Sequence, residues 1–312
     1  MSSSRFHRFG PFVIIRLLGR GAMGEVHLAR TEWSESKLVA LKMLKEELHT
    51  QKEYAERFAR ELSLAIRLEH TNVVASMAQG EVEGRPYLAS QYIEGQDLGN
   101  IITRVRQNRS ELPLPVIVGI LKDLLSGLAY IHELKSVDGQ WLELIHQDIA
   151  PGNILIGYDG CARITDFGIA TSAVLRNSPA AEPDWAQGRA EYRAPEIDEG
   201  QKPNASSDIY SLGVIVRQLI GDAPAWLDRL IETMLSSSPM KRSSAKTLSL
   251  ELETASKKAQ VHSSAVSCSR WLEGLFPNKQ QFAITKKKRI LTINPSRIQK
   301  QIQYTLTFTK TL

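Results

Sequence analysis

Ile145-His146-Gln147-Asp148-Ile149-Ala150-Pro151-Gly152-Asn153 is the stretch on which the reading of this chain turns. Asp166-Phe167-Gly168 follows it, and Ala194-Pro195-Glu196 comes later. An aspartate able to accept a hydroxyl proton, with an asparagine and a second aspartate able to hold Mg²⁺, is the set of groups that phosphoryl transfer requires. Each short run recurs by chance; their order along one chain is what carries the information.

Upstream lies Gly19-Arg20-Gly21-Ala22-Met23-Gly24-Glu25-Val26. Glycines let a tight hairpin bring backbone N–H groups over phosphates without Cβ atoms in the way. Taken alone, the run fits a dinucleotide fingerprint or a plain β-turn as well. A strand follows it instead of a helix, which counts against the dinucleotide reading. Val39-Ala40-Leu41-Lys42 ends an apolar strand on a lysine. A buried ammonium needs an anionic partner, whereas a lysine at a strand edge can carry its charge out to water. Glu61 stands on a predicted amphipathic helix and is a candidate partner.

Around these motifs the periodicity predicts strands at Phe12 to Leu18, Val26 to Ala29, Leu38 to Leu44 and Val82 to Ile93, the last broken by Gly84. A helix is predicted from Glu53 to Leu68. Beyond Gly95 the chain turns helical, with a long helix ending near His132, short strands at Ile154 to Ile156 and Ala162 to Ile164, and helices at Ser207 to Ile220, Trp226 to Leu235 and Ala245 to Lys258. Residues 172–189 are aperiodic and read as a loop.

From about Phe9 to about residue 256 the chain resembles the eukaryotic-type (Hanks-type) serine/threonine protein kinases of bacteria. The resemblance implies an α+β, two-lobed fold, with a β-rich N-lobe carrying one key helix and a mainly helical C-lobe. It also implies ATP and Mg²⁺ as cofactors and a protein as substrate. Gly19, Gly21 and Gly24 would cover the phosphates, and Lys42, paired with Glu61, would hold the α- and β-phosphates. Val26, Ala40 and Leu155 would line the adenine site, Gln91 to Ile93 would form the hinge, and Asp97 would sit near the ribose. Asp148 would be the catalytic base, with Asn153 and Asp166 as metal ligands. Glu196 would pair with Arg242, and Asp208 would anchor the catalytic loop. Ser90 stands where a larger residue is usual, which predicts a rear cavity open to bulky ATP analogues.

Four departures from the family pattern stand out. Gln147 replaces the arginine that binds a phosphorylated activation loop, so activity independent of phosphorylation at Thr171, Ser172 and Ser178 is expected. Ala150 replaces the lysine that steadies the γ-phosphate. Gly188-Arg189 stands where Gly-Thr is usual, and Arg189 is a candidate for the missing positive charge, although a solvated loop arginine is an equally ordinary reading. Between Ile220 and Trp226 the chain runs almost directly from one helix to a later one, and Ser136 to Leu142 enlarges a surface loop.

The 312 residues suffice for two lobes and a tail. We read 1–93 as the ATP-binding N-lobe, 94–256 as the catalytic C-lobe and 257–312 as a basic extension outside the kinase core. Hydrophobic residues at 42% and charged residues at 23% exclude a disordered chain. The net charge of +5 is largely a property of the tail, since no acidic residue follows Glu273. That tail, with Lys286-Lys287-Lys288-Arg289, reads as a solvated extension, with contact to an anionic surface as the weaker alternative. Its sparse aromatics argue against a nucleic-acid platform. Two distant cysteines give no disulfide framework, and no uninterrupted apolar run approaches the roughly 20 residues that span a bilayer. A cytoplasmic protein without a transmembrane segment is expected. An active kinase and a nucleotide-binding pseudokinase scaffold are the two functional readings; a small-molecule kinase conflicts with Ala194-Pro195-Glu196.

Overall fold

The computed structural model describes residues 7–21, 24–32, 37–48, 68–136, 138–166 and 190–277. The expectations for Glu61 and the helix predicted around it, for Arg189 and the 172–189 loop, and for the basic tail lie outside the described residues. By its contacts the chain divides into Met1–Phe276 and Pro277–Leu312, and the first unit holds both lobes.

The N-lobe is an antiparallel sheet of β1 (Arg8–Phe9), β2 (Phe12–Arg20), β3 (Gly24–Thr31), β4 (Leu38–Leu44), β5 (Ser76–Val82) and β6 (Arg85–Gln91), in the order β1-β2-β3-β4-β6-β5. Alternation gives the sheet two faces. Val39, Leu41 and Met43 of β4 join Phe12, Ala29, Tyr87 and Ala89 in one apolar cluster. Phe9 and Phe12 both meet the Tyr87 ring edge-on, at centroid distances of 5.9 and 5.1 Å. Full burial of a side chain such as Leu41 is worth about 2 kcal/mol. Ala40 and Lys42 therefore point to the other face.

The break expected at Gly84 within Val82 to Ile93 is the turn between two strands, β5 ending at Val82 and β6 running from Arg85 to Gln91. Glu83 and Gly84 both have positive φ, 52° and 78°, and turn the chain back between β5 and β6. β5 escaped the sequence reading because its residues, Ser-Met-Ala-Gln-Gly-Glu-Val, are half exposed at a sheet edge and carry no apolar run.

The C-lobe contains β7 (Gly95–Asp97), α1 (Leu98–Gln107), α2 (Leu114–His132), β8 (Ile154–Gly157), β9 (Ala162–Ile164), α3 (Pro195–Asp198), α4 (Ala205–Leu219), α5 (Ala225–Met234), α6 (Ala245–Lys258) and α7 (Ala265–Leu275). α2 is long and apolar enough to cross a membrane by length and composition alone, which the search for uninterrupted apolar runs did not register. Its Leu121, Leu124, Leu125 and Leu128 are buried in the C-lobe core, and it packs against α4, α6 and α7.

Helix α7 lies beyond residue 256, where the sequence reading ended the core. Ser264 caps its N-terminus, and Cys268, Leu272 and Leu275 pack into the C-lobe cluster. A stripe of three positions among serines, an arginine and a glutamate was too narrow to read as a core helix. The short 220–224 link between α4 and α5 is present as read. The loop at Ser136 to Leu142 is a surface hairpin, bridged between Lys135 and Trp141 with the lysine ammonium 4.1 Å from the indole centroid.

Candidate active site

Strand register sets the upper wall of the cleft. Val26 pairs with Lys42 and Lys42 with Leu88, while Leu28 pairs with Ala40 and Ala40 with Ser90. Paired residues share a face, so Val26, Ala40, Lys42 and Ser90 lie together, opposite the apolar cluster. Leu28 and Leu88 lie on the same face, and sequence reasoning missed them. Gly19 pairs with Val26 at the start of the glycine hairpin, and the Gly21 N–H donates to the Gly24 carbonyl at 2.8 Å. A Cβ built on Gly19 meets nothing within 4 Å, so the fold itself does not demand a glycine there.

The Lys42 ammonium bonds to the Asp166 carboxylate at 2.5 Å, with the two side chains 19% and 39% exposed. These residues are 124 positions apart. Asp166 has φ +66°, a strained value for a residue with a Cβ, and sits where the chain leaves β9. Val73 bridges Ile164 in parallel, and the Asn72 amide donates to the Ala162 carbonyl, so β9 is clamped on its far side.

The catalytic loop is held by α4. Asp208, fully buried at the first turn of that helix, accepts from the His146 and Gln147 backbone N–H groups at 2.9 Å each and from His132 Nε2 at 2.8 Å. Burial pushes its carboxyl upward, but the hydrogen bond and charge of His132, with the donors from the loop, outweigh this and hold it below the usual range. The carboxylate is an acceptor, so His132 Nε2 donates. Gln147 takes φ +66° at this anchor. His146 Nε2 donates to the Thr165 carbonyl at 3.1 Å, which leaves Nδ1 to accept the Asp148 N–H at 3.3 Å.

These contacts orient the reactive groups. Asn153 Nδ2 donates to the Asp148 carbonyl at 2.8 Å and to its carboxylate at 2.7 Å. The Thr165 N–H donates to the Asn153 carbonyl at 3.0 Å, tying this loop to the segment that ends in Asp166. Asn153 is buried, and with Nδ2 committed to Asp148 its Oδ1 is the remaining acceptor. An amide oxygen and a carboxylate form the hard-oxygen donor set that Mg²⁺ prefers. A small cavity beside Asp148 is lined by Gln147, Tyr192, Arg193, Ser207 and Ser211.

Leu155 lies on β8 between the fully buried Ile154 and Ile156, so alternation turns it to the opposite face of that small sheet. β7 pairs Asp97 with Leu155. Both Asp97 carboxylate oxygens are engaged by Asn100, through its backbone N–H at 2.8 Å and its side-chain amide at 2.5 Å, so Asp97 is first a helix cap. Gln91 is exposed and its N–H donates to the Ala75 carbonyl; Ile93 is half-buried. Ala150 is fully buried.

Further from the cleft, Arg242 clamps Glu196 with two bonds of 2.7 and 2.8 Å, both side chains being essentially sealed from water. Ser207 adds a hydrogen bond to the same carboxylate at 2.8 Å. Burial raises the Glu196 carboxyl, and Arg242 and Ser207 more than reverse this, leaving it below its ordinary value.

A family model described as the protein kinase domain matches residues 12–257. The chain belongs to the protein kinase domain family. Tyrosine-protein kinase MasK of Myxococcus xanthus is 32% identical over 66% of this kinase chain and 32% of its own length. Serine/threonine-protein kinase PknH of Mycobacterium tuberculosis is 33% identical over 73% of the chain and 34% of its own, and PrkC of Bacillus subtilis 31% over 68% and 30%. The chain spans about a third of the length of the curated relatives it matches. The crystal structure of the Mycobacterium tuberculosis PknI kinase domain superposes with a TM-score of 0.59 over 82% of this chain and 100% of that one, at 24% identity, a likeness of fold.

His132 is the positioning residue that sequence reasoning missed. It closes a predicted helix, and nothing local signals a partner 76 residues away.

Proposed function

We propose that this kinase domain transfers the γ-phosphate of ATP, with Mg²⁺, to serine or threonine hydroxyls of a protein. The observation that carries the reading is the convergence of Lys42, Asp148, Asn153 and Asp166 through the 2.5 Å Lys42–Asp166 and 2.7 Å Asn153–Asp148 bonds. Asp148 accepts the hydroxyl proton of a side chain entering beside Tyr192 and Arg193. Asn153, while orienting that carboxylate, offers Oδ1, and Asp166 its carboxylate, to Mg²⁺. The metal, when bound, neutralises charge on the phosphates. Lys42 would exchange Asp166 for phosphate oxygens. Gly19, Gly21 and Gly24 lay backbone N–H groups over the phosphates, Val26, Ala40 and Leu155 enclose adenine, Gln91 to Ile93 grip it, and Ser90 leaves room behind it. Glu61 would receive Lys42, and Arg189 would replace the charge absent at Ala150.

Free Cys161 and Cys268 fit a reducing, cytoplasmic setting, where ATP is abundant. No role for the basic tail is needed by this reading.

The test is purified chain with Mg²⁺ and γ-labelled ATP, beside Asp148→Asn and Asp166→Ala. Label on serine or threonine that vanishes in both variants is expected. Label on tyrosine alone would overturn the residue preference, a relevant outcome given that one relative is named a tyrosine kinase. ATP binding with no label in the wild type would establish the pseudokinase scaffold instead.

A further inference from the structure

Helix α7 lies beyond residue 257, where the family model ends, yet it is fastened to the kinase core. Its stripe of Cys268, Leu272 and Leu275 is buried in the C-lobe cluster. Its polar contacts run elsewhere, to the small sheet that carries Asp97 and Leu155.

The turn between β8 and β9 abuts the first turn of α7. Gly160 has φ +83°, and a Cβ built on it would stand 2.5 Å from the Ala265 carbonyl carbon and closer still to its oxygen. Those atoms are backbone, so no change of rotamer clears them, and only glycine fits this approach. One turn along the helix, the Ser269 hydroxyl donates to the Tyr158 carbonyl at 2.6 Å. The Tyr158 N–H in turn donates to the Glu94 carbonyl at 2.8 Å. Glu94 stands between Gln91 to Ile93, read as the hinge, and β7, which pairs Asp97 with Leu155. The turn itself is closed, the Gly157 N–H donating to the Cys161 carbonyl at 3.0 Å and the Gly160 N–H to the Gly157 carbonyl at 2.9 Å. A displacement of α7 is therefore passed on to Tyr158 and Glu94. Just past the other end of α7, the Arg104 guanidinium lies 5.7 Å from the Phe276 ring centroid, and Arg104 belongs to α1, the helix that Asp97 caps.

We propose that α7 is a positioning element of the nucleotide site, in which Ser269 and Gly160 fix, through Tyr158 and Glu94, the strand that leaves the hinge. It touches no substrate atom. Groups that grip adenine act on the ground state and the transition state alike, so α7 sets the affinity for ATP and not the rate of phosphoryl transfer. The inference rests on the reading of the cleft as an ATP site.

The full chain is measured for ATP affinity with Mg²⁺ by calorimetry, for KM and kcat, and for backbone hydrogen exchange at residues 94–97. Ser269→Ala should raise Kd and KM for ATP about threefold with kcat unchanged, and speed exchange at 94–97. Ser269→Thr, which keeps the hydroxyl, should restore both. Gly160→Ala drives a methyl into the Ala265 carbonyl and should raise Kd and KM about tenfold. Gly139→Ala is its control, because that glycine has φ +77° and nothing within 4 Å of an added Cβ. It carries the backbone strain without the collision and should leave ATP affinity unchanged. Where Gly160→Ala does not fold, Ser269→Ala decides alone. Unchanged ATP affinity in Ser269→Ala, a fall in kcat at constant KM, or faster exchange at 94–97 without loss of affinity overturns the inference. Wild type that binds no ATP overturns the reading of the cleft and this inference with it, whereas wild-type binding with indifferent variants overturns this inference alone.

Discussion

The Arg242–Glu196 pair and the Lys42–Asp166 pair each join an acid to a base across the C-lobe or the cleft, at 2.7 and 2.5 Å. Their surroundings differ. Arg242 and Glu196 are 0% and 1% exposed, two parallel bonds join them, and Ser207 and backbone carbonyls take up the remaining polar atoms. Lys42 and Asp166 are 19% and 39% exposed. A sealed pair that loses one member leaves a charge stranded in low dielectric, so it behaves as a permanent fastening. A pair half in water is screened and gains little from staying together, so it can exchange partners when a polyanion and a metal arrive. Exposure, more than distance, separates the two pairs, and under the proposed phosphotransfer the exposed pair is the working one.

The largest effect that tests this contrast is on stability. Arg242→Ala should cost about 3–5 kcal/mol. At about 2–4 °C per kcal/mol, calorimetry should register a fall in Tm of roughly ten degrees. Its pH dependence is sharper still. In the wild type the Glu196 carboxyl lies below its ordinary 4.5, so its contribution is complete above that value and is lost as pH falls through the depressed folded value. Without Arg242, burial, the largest cause, is opposed only by Ser207 and a backbone hydrogen bond; the low carboxyl value is lost, and the variant's deficit should shrink on acidification through pH 5 to 4. A deficit that grows on acidification would break the comparison.

Lys42→Met addresses the other member. Loss of the charge that would hold the α- and β-phosphates should lower kcat/KM by about 10²–10³-fold. Stability should move by no more than about 1 kcal/mol, since methionine keeps the apolar stem of a lysine that is 19% exposed. A Tm loss comparable with that of Arg242→Ala would show that both pairs are fastenings.

How much of this was legible in sequence follows the same division. Lys42, Asp148, Asn153 and Asp166 were readable because their chemistry demands particular residue types in a particular order. Glu196, Arg242 and Asp208 came from family resemblance, since buried partners this far apart in sequence leave no local trace. His132 left none either: its role depends on Asp208, and a histidine at the end of a helix has many ordinary explanations. Among the elements, strong periodicity gave β4, α2 and α6 to within a few residues. β5 was lost because an edge strand need not be apolar, and α7 because only Cys268, Leu272 and Leu275 of its residues are buried. Leu272→Ala should nonetheless cost roughly 2–3 kcal/mol by thermal melting. It carries no charge, so it also serves as a control: its deficit should not depend on pH between 4 and 5 as that of Arg242→Ala does.

Ser207→Ala is the smallest change and the finest test. The Ser207 hydroxyl donates to Glu196 at 2.8 Å and accepts the Asn204 N–H at 3.2 Å, completing the capping box of α4. Its removal should cost about 1–2 kcal/mol, because Arg242 still covers the same carboxylate oxygen. Glu196 remains below its ordinary value under the guanidinium alone, so the acid dependence keeps its wild-type sign and loses part of its size. Combined with Arg242→Ala, the serine should matter more than it does alone, since it is then the last side-chain donor to a buried carboxylate. Additive losses in the double-mutant cycle would mean that serine and arginine act independently. Glu196 would then be held by separate contacts, and the contrast with Lys42–Asp166 would rest on burial alone.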